Sequence, residues 1–420
     1  MAAAPPLTVL APESAPRREP RLIAAGTTPL HRLDGELTVE VIDSVADLAS
    51  RADDWDDLAR AASEPNVFFE RWFLAPALNA FPTGRPLAIL LVHRGSRRKD
   101  VAPGLVGLFP CEQVRGRFGT RFLRTFGHDY CFLRSPLIRA GHEADVWRTV
   151  LDWADRSAFD VLDLPAIRGE GAQAQALVQA LHERRALSLV SDMHVRALLP
   201  HDESAEAAIE RALSSKQRHE YQRQFRRLGE QGAVEFRRLR DESEFSEWLE
   251  AFLCLEAQGW KGEAQTALSQ STWSRDFFQQ AAGDAFARGQ LQMLGLWCGG
   301  RPIAMKVNFL SGRGSFAFKI AYDESFARFS PGVQLELENI RLLHDAGLGW
   351  MDSCAAPEHP MINRLWAGRT IVQHLLVSLG SVRGNFAVGM RPVRRAWRRW
   401  RRPSAARPET HRVTASETSS

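Results

Sequence analysis

Cysteine is scarce in this chain of 420 residues. There are five, at positions 111, 131, 254, 298 and 354, an odd set with no C-x-x-C pair, which argues against a disulfide framework or a cysteine-based zinc site. No run approaches the roughly 18 consecutive apolar residues that a membrane span requires, so transmembrane classes fall away. The start, Met1 to Pro20, is rich in Ala, Pro and Arg and lacks the basic-then-apolar layout of a secretory leader; the cytoplasm is the expected compartment. An excess of one charge is missing too. The net charge is +4, yet residues 391–402 hold seven arginines and no acid, so the rest of the chain carries −3 and offers no general polyanion-binding surface. Of 54 basic side chains only Lys99, Lys216, Lys261, Lys306 and Lys319 are lysine.

What is present is an ordinary soluble composition, 45% hydrophobic and 25% charged, enough for about two or three domains with real cores. Residues 1–36 and 403–420 lack periodicity and are read as disordered ends. Between Leu37 and about Leu379, strand-like and helix-like stretches alternate, the pattern of α/β or α+β layers. The order occurs twice. Strand 38–42, helices 45–61 and 67–79, strands near 87–93 and 101–110, helix 143–156 and the strand around Asp163 are echoed by strand 233–239, helices 242–258 and 271–288, strands near 290–298 and 301–310, helix 332–346 and the strand around Asp352. A basic helix, 204–228, joins the two copies.

The stretch 290–360 carries the chemistry. Gly299-Gly300-Arg301-Pro302 reads as a hairpin turn. On the strand that follows, Lys306 and Asn308 share a face with Ala304; on the next, strict alternation puts Lys319 with Ala317 and Ala321, opposite Tyr322. Two readings follow. One is a half-exposed sheet with solvated lysines; the other is an alanine-walled cavity in which Lys306, Asn308 and Lys319 reach a polar ligand. Further on, Ser330 reads as an N-cap, Pro331 as the first helical residue and Gly332 as room for close approach, an arrangement suited to an anion.

These residues carry a resemblance. The run Phe318 to Glu324, then Ser330-Pro331-Gly332, Met351-Asp352-Ser353 and Leu365-Trp366 resemble the GNAT acyltransferase superfamily. Together with Leu255 to Gly262 and Lys216 to Leu228 they resemble its FemAB-like branch, which includes the CelD-type acetyltransferases linked to cellulose biosynthesis. The resemblance implies tandem GNAT-like α/β (α+β) domains, each a mixed, mostly antiparallel sheet flanked by helices. The implied divisions are an arm (1–36), a first domain (37–200), a second, catalytic domain (201–390) and a basic and polar tail (391–420). It implies acetyl-CoA or another acyl-CoA as donor, no metal, and a saccharide or cell-envelope acceptor. The pyrophosphate loop would comprise Phe329, Ser330, Pro331, Gly332, Val333 and Gln334. Direct acyl transfer needs a base and a proton for the departing thiolate; Asp352 is the first choice and His359 the second. Lys306, Asn308, Lys319 and Tyr322 are the candidate substrate contacts, although the place of Tyr322 in the apolar row makes core packing its better reading.

Two rival functions remain: aminoacyl transfer from tRNA, as in FemAB relatives, and a noncatalytic assembly factor for polysaccharide synthesis. Gly127-His128-Asp129 lacks a nucleophile motif, and Cys354 reads as a buried, inert thiol. In Arg391–Arg402 the pattern of Trp397 and Trp400 among arginines suits peripheral contact with an anionic inner-membrane face. A solvated tail is the equal alternative.

Overall fold

The computed structural model describes residues 37–95, 104–201, 204–258 and 268–391. The arm 1–36, the tail from residue 392 and the Gly259–Gly262 end of the 255–262 stretch lie outside them. The first half runs β1 (Leu37–Ile42), α1 (Val45–Ala49), α2 (Ala52–Arg60), α3 (Arg71–Ala80), β2 (Ile89–Arg94), β3 (Gly104–Phe109), β4 (Cys111–Arg115), β5 (Arg121–Thr125), β6 (Leu137–Ile138), α4 (Glu143–Arg156), β7 (Val161–Arg168), α5 (Ala172–Glu183) and β8 (Ser188–Pro200). Two helices follow, α6 (Ala205–Ala212) and α7 (Ser215–Gly229). They are separate because Ser214 starts a new helix there, its side chain and that of Gln217 forming a reciprocal capping box. The second half runs β9 (Val234–Arg238), α8 (Phe245–Gln258), α9 (Thr272–Ala287), β10 (Leu291–Cys298), β11 (Arg301–Ser311), β12 (Gly314–Tyr322), α10 (Pro331–Asp345), β13 (Trp350–Asp352), α11 (Pro360–Leu365), β14 (Gly368–Ser378) and α12 (Val382–Gly389).

The halves do not own separate sheets. Ten strands lie in the order β4-β5-β7-β14-β8-β13-β12-β11-β10-β9. In each half one parallel pair, β5 with β7 and β12 with β13, is followed by a strand from the other half: β14 pairs with β7, β8 pairs with β13, and β8 and β14 pair with each other at the centre. The last strands are exchanged about a pseudo-twofold axis. The halves also differ. Where the second has one continuous β11, the first is broken at Pro110, which has no N–H to extend a ladder, into β3 and β4. The pieces diverge, and β1-β2-β3-β6 forms its own sheet.

The exchange is fastened by two buried carboxylates at matching positions. Asp352 on β13 lies opposite Leu198, and its Oδ2 accepts from Arg196, two residues earlier on β8, at 2.7 Å. Asp163 on β7 lies opposite Leu376, and its Oδ1 meets His374 Nε2, two residues earlier on β14, at 2.6 Å. Side-chain hydrogen bonding from His374 and the nearby Arg124 guanidinium outweigh burial and hold the Asp163 carboxyl below its ordinary range.

One apolar core serves both halves. Phe68 and Phe73 of the first meet Phe316 and Phe277 of the second edge-on, at 5.5 and 5.1 Å between ring centres. Because these rings belong to neither half alone, Phe73→Ala is expected to cost about 3–5 kcal/mol. Urea unfolding, followed by probes in each half, should remain a single transition; two separated transitions would show that the halves fold independently.

Candidate functional site

Strand β12 organises the site. It pairs in parallel with β13 through Gly314, Ser315 and Phe316. After Phe316 and Asp352 the two strands part, and from Ala317 onward β12 has no strand partner on that edge among the described residues. A strand edge of this kind is where an extended ligand can lie alongside a sheet. At its end, the chain turns through Asp323 to Ser330 and enters α10.

The loop expected to hold pyrophosphate is at this entry. Pro331 occupies the first helical position, but Ser330 caps with its backbone alone: its φ is 52°, in the left-handed region, and its side chain makes no capping bond. Its carbonyl takes the Val333 and Gln334 N–H groups, each at 3.0 Å. The Gly332 N–H, in the first turn, has no intrahelical acceptor. A Cβ on Gly332 would sit 3.5 Å from the Tyr322 ring and 3.9 Å from the Met361 sulfur, so the glycine is not required for packing. The other members serve structure. Phe329 and Val333 are core residues, and the Gln334 amide donates to the Tyr221 carbonyl at 2.8 Å, tying α7 to α10. Arg364 of α11 donates to the Tyr221 hydroxyl at 2.8 Å. Tyr221 and Arg364 thus join Gly332 and Tyr322 at the helix entry. Their roles were invisible in sequence because they come from separate helices.

Lys306 and Asn308 do not reach a ligand, a correction to the cavity reading. Helix α10 covers their face of the sheet, so both are buried. Lys306 Nζ is 2.8 Å from Glu336 Oε2, which completes the charge pair; Glu336 Oε1 accepts from Trp366 Nε1 and Asn339 Nδ2, and Asn308 donates to Asn339 and Gln292. Lys319 departs from expectation in another way. A bulge in β12 opposite Val307 and Asn308 interrupts the alternation. Lys319 therefore pairs across from Val307 and faces away from Lys306, where its Nζ lies 2.6 Å from Glu256 and 5.1 Å from the Tyr130 ring centre.

Asp352 is corrected as well. Its carboxylate takes Arg196, lies 3.7 Å from Arg168 and accepts the Cys354 N–H at 3.1 Å. A fully buried group so engaged is placed as a clamp between strands, and its counterpart Asp163 performs the same clamp in the first half. His359 caps α11, accepting from the Ile362 N–H through Nδ1. Cys354 is buried and its thiol is pushed well up, first by burial and then by Asp352.

On the Lys319 side of β12 the two halves border an open cavity of about 530 Å³ lined by Phe81, Thr83, His128, Asp129, Tyr130, Trp273 and Ser274, among others. His128 stacks on Phe81 at 4.3 Å and accepts the Tyr130 N–H at Nδ1. Burial foremost, then the Arg134 charge, pushes its pKa down to about 3. The imidazole is therefore neutral at physiological pH, with Nδ1 as the acceptor of that bond. Burial raises the Tyr130 pKa, opposed by a hydrogen bond with Ser274. The sequence set the Gly127-His128-Asp129 stretch aside for want of a nucleophile motif; its partners in the fold come from the end of α3 and from α9. Among the described residues no group of His, Cys, Asp and Glu is placed to hold a metal ion.

The parallel pair that parts beside the α10 entry lies within a domain of known family. Residues 215–359 match the acetyltransferase (GNAT) domain family and carry such a domain. Over 78% of this chain and 95% of that one the fold is similar to that of FemX, with a TM-score of 0.52 at 9% identity. A conserved protein of unknown function from Bacteroides thetaiotaomicron gives 0.49 at 9% identity over 80% and 99% of the two chains. A tandem GNAT protein from the clavulanic acid biosynthesis pathway gives 0.40 at 13% identity over 82% and 99%. No curated protein matches the sequence.

Two outcomes follow from this geometry. Asp352→Asn leaves Arg196 buried without its counter-charge, so unfolding should become easier by about 3–5 kcal/mol, with turnover per folded molecule kept; lost turnover at unchanged stability would restore Asp352 as the base. For His128, the unfolded chain takes up a proton near pH 6.5 while the folded chain does not until about pH 3. Stability should therefore fall as pH drops through that window and be flat above it. Between pH 7 and 5 the wild type should lose roughly 1–2 kcal/mol more than His128→Phe in urea titrations. An equal response of both proteins would show that His128 is protonated in the folded state.

Proposed function

We propose that the protein transfers an acyl group from acyl-CoA to a saccharide or other cell-envelope acceptor. The observation that carries this reading is the parting of β12 from β13 beside the α10 entry. The open edge of β12 suits the amide-bearing pantetheine arm, and the Gly332 N–H, the helix dipole, Arg364 and the Tyr221 hydroxyl suit the pyrophosphate. When bound, the donor supplies a thioester, whose carbonyl the acceptor's hydroxyl or amine attacks as the thiolate leaves. The acceptor is assigned to the cavity between the halves. Aromatic faces at Phe81, Tyr130 and Trp273 with hydrogen-bonding groups at Thr83, His128, Asp129 and Ser274 form the mixed apolar and polar lining that suits a sugar ring.

Aminoacyl transfer from tRNA is the rival within enzymes, and a body charge of −3 outside the 391–402 stretch disfavours it. A noncatalytic assembly role is the rival outside them. Calorimetric titration with acetyl-CoA, desulfo-CoA and aminoacyl-tRNA separates the three. Wild-type protein should bind acetyl-CoA, and Gly332→Asp should weaken binding about 100-fold, because it sets a carboxylate where the charge-assisted bonds form. Gly332 is itself buried, so Gly332→Ala, whose Cβ makes only ordinary contacts, is the folding control. Unchanged affinity in folded Gly332→Asp would move the donor elsewhere, and no affinity for either CoA would favour a rival.

A further inference from the structure

The β4–β5 tip and α12 together form a surface that acyl transfer does not use. Phe118, at the tip, is 72% exposed and has φ 60°, the left-handed region that bulky residues avoid. On α12, Val382 is 86% and Phe386 53% exposed. They are four residues apart and share the outer side of the helix, while Gly384 and Val388 face inward. Large apolar side chains grouped on a folded surface mark an interaction site.

The two elements are held as one platform. Buried Asp160 accepts the Arg121 N–H at 2.8 Å and the Ser381 hydroxyl at 2.7 Å, binding the start of β5 to the cap of α12. A Cβ on Gly384 would lie 2.2 Å from the Asp160 carbonyl oxygen, so the helix is seated directly on the backbone. The Arg383 guanidinium is 3.9 Å from where a Cβ would sit on Gly119, which brings the helix and the tip side by side.

The charge around this apolar group has one sign. Residues 113–121 and 380–391 contain Arg115, Arg117, Arg121, Arg383 and Arg391 and no acid. None of the five is in a salt bridge among the described residues; the Arg117 guanidinium lies over the Phe118 ring. Asp160, whose carboxyl hydrogen bonds and the charges of Arg121 and Arg383 keep below its usual range, is the acid these arginines approach. The chain leaves the platform at Arg391, and residues 392–402 add six arginines, Trp397 and Trp400.

We propose that this face docks the protein on an anionic lipid surface, with Phe118, Val382 and Phe386 entering the headgroup boundary and the arginines meeting lipid phosphates. Apolar insertion and basic charge are the two components that reversible peripheral binding requires. The inference does not depend on the donor or acceptor of the reaction.

Flotation of full-length protein with phosphatidylcholine vesicles, with and without phosphatidylglycerol, tests it. The wild type should float with the anionic vesicles, and high salt should release it. Replacing Phe118, Val382 and Phe386 together by Ser should reduce the bound fraction about tenfold, both in the full chain and in a chain ending at Arg391. Phe118→Gly, which relieves the left-handed backbone while removing the ring, makes the same test without touching α12 and should weaken binding measurably. Flotation of the Ser variants equal to wild type would overturn the proposal. So would equal binding to pure phosphatidylcholine, or a loss confined to binding of a single-stranded RNA oligomer, which would make the face a nucleic-acid surface.

Discussion

The reciprocal exchange of β8 and β14 is the constraint on which the rest of the molecule depends. Each half completes the other's sheet, and at each crossing a buried aspartate on a parallel strand grips a partner on the exchanged strand. Asp163 takes His374 and Asp352 takes Arg196, at matching register. A buried carboxylate without a partner would be costly, so the pairs discriminate against other registers as well as holding this one. The aromatic core between the halves and the cavity beside it exist because the exchange brings the two faces together.

The internal duplication was legible in the sequence, since the order of strands and helices up to Asp163 and Asp352 follows from local periodicity, capping residues and turns. The exchange was not. A strand's own pattern says that it has a buried face but not which strand lies beside it, and β8 and β14 pair across 170 to 189 residues of chain, from Gly368 with Leu198 to Val377 with Ser188. Reading β12 by strict alternation failed for a local reason, the bulge opposite Val307 and Asn308. That bulge places Lys319 against Glu256 and Tyr130 and leaves Lys306 against Glu336. The lysines were rightly singled out as unusual, yet their purpose is to balance buried carboxylates from helices packed on opposite faces of the sheet. Such pairing joins residues 30 and 63 positions apart and leaves no spacing rule to read.

Asp352 illustrates how a residue can look catalytic in a sequence. It is acidic, follows a short strand and lies where the parallel strands separate. Its equivalent in the first half shows that the position carries an aspartate in both copies, whereas a parting strand pair leading into a Pro-Gly helix entry belongs to the second. A feature present in both halves is better explained by the pseudo-symmetry than by chemistry confined to one of them.

The asymmetry between the halves is where function enters. In the first half Pro110 breaks the strand that remains whole in the second, and β1-β2-β3-β6 departs from the main sheet. In the second half the sheet stays continuous from β9 to β13, so the open edge of β12 is backed by rigid neighbours. The first half contributes α3 and the His128 loop to the seam instead. There, a neutral imidazole stacked on Phe81 costs stability at low pH and is retained beside Tyr130, Ser274 and Trp273. The polar groups held in this aromatic seam are what the proposed reading uses: it takes the edge of β12 in the second half for the donor and the His128 wall of the first half for the acceptor.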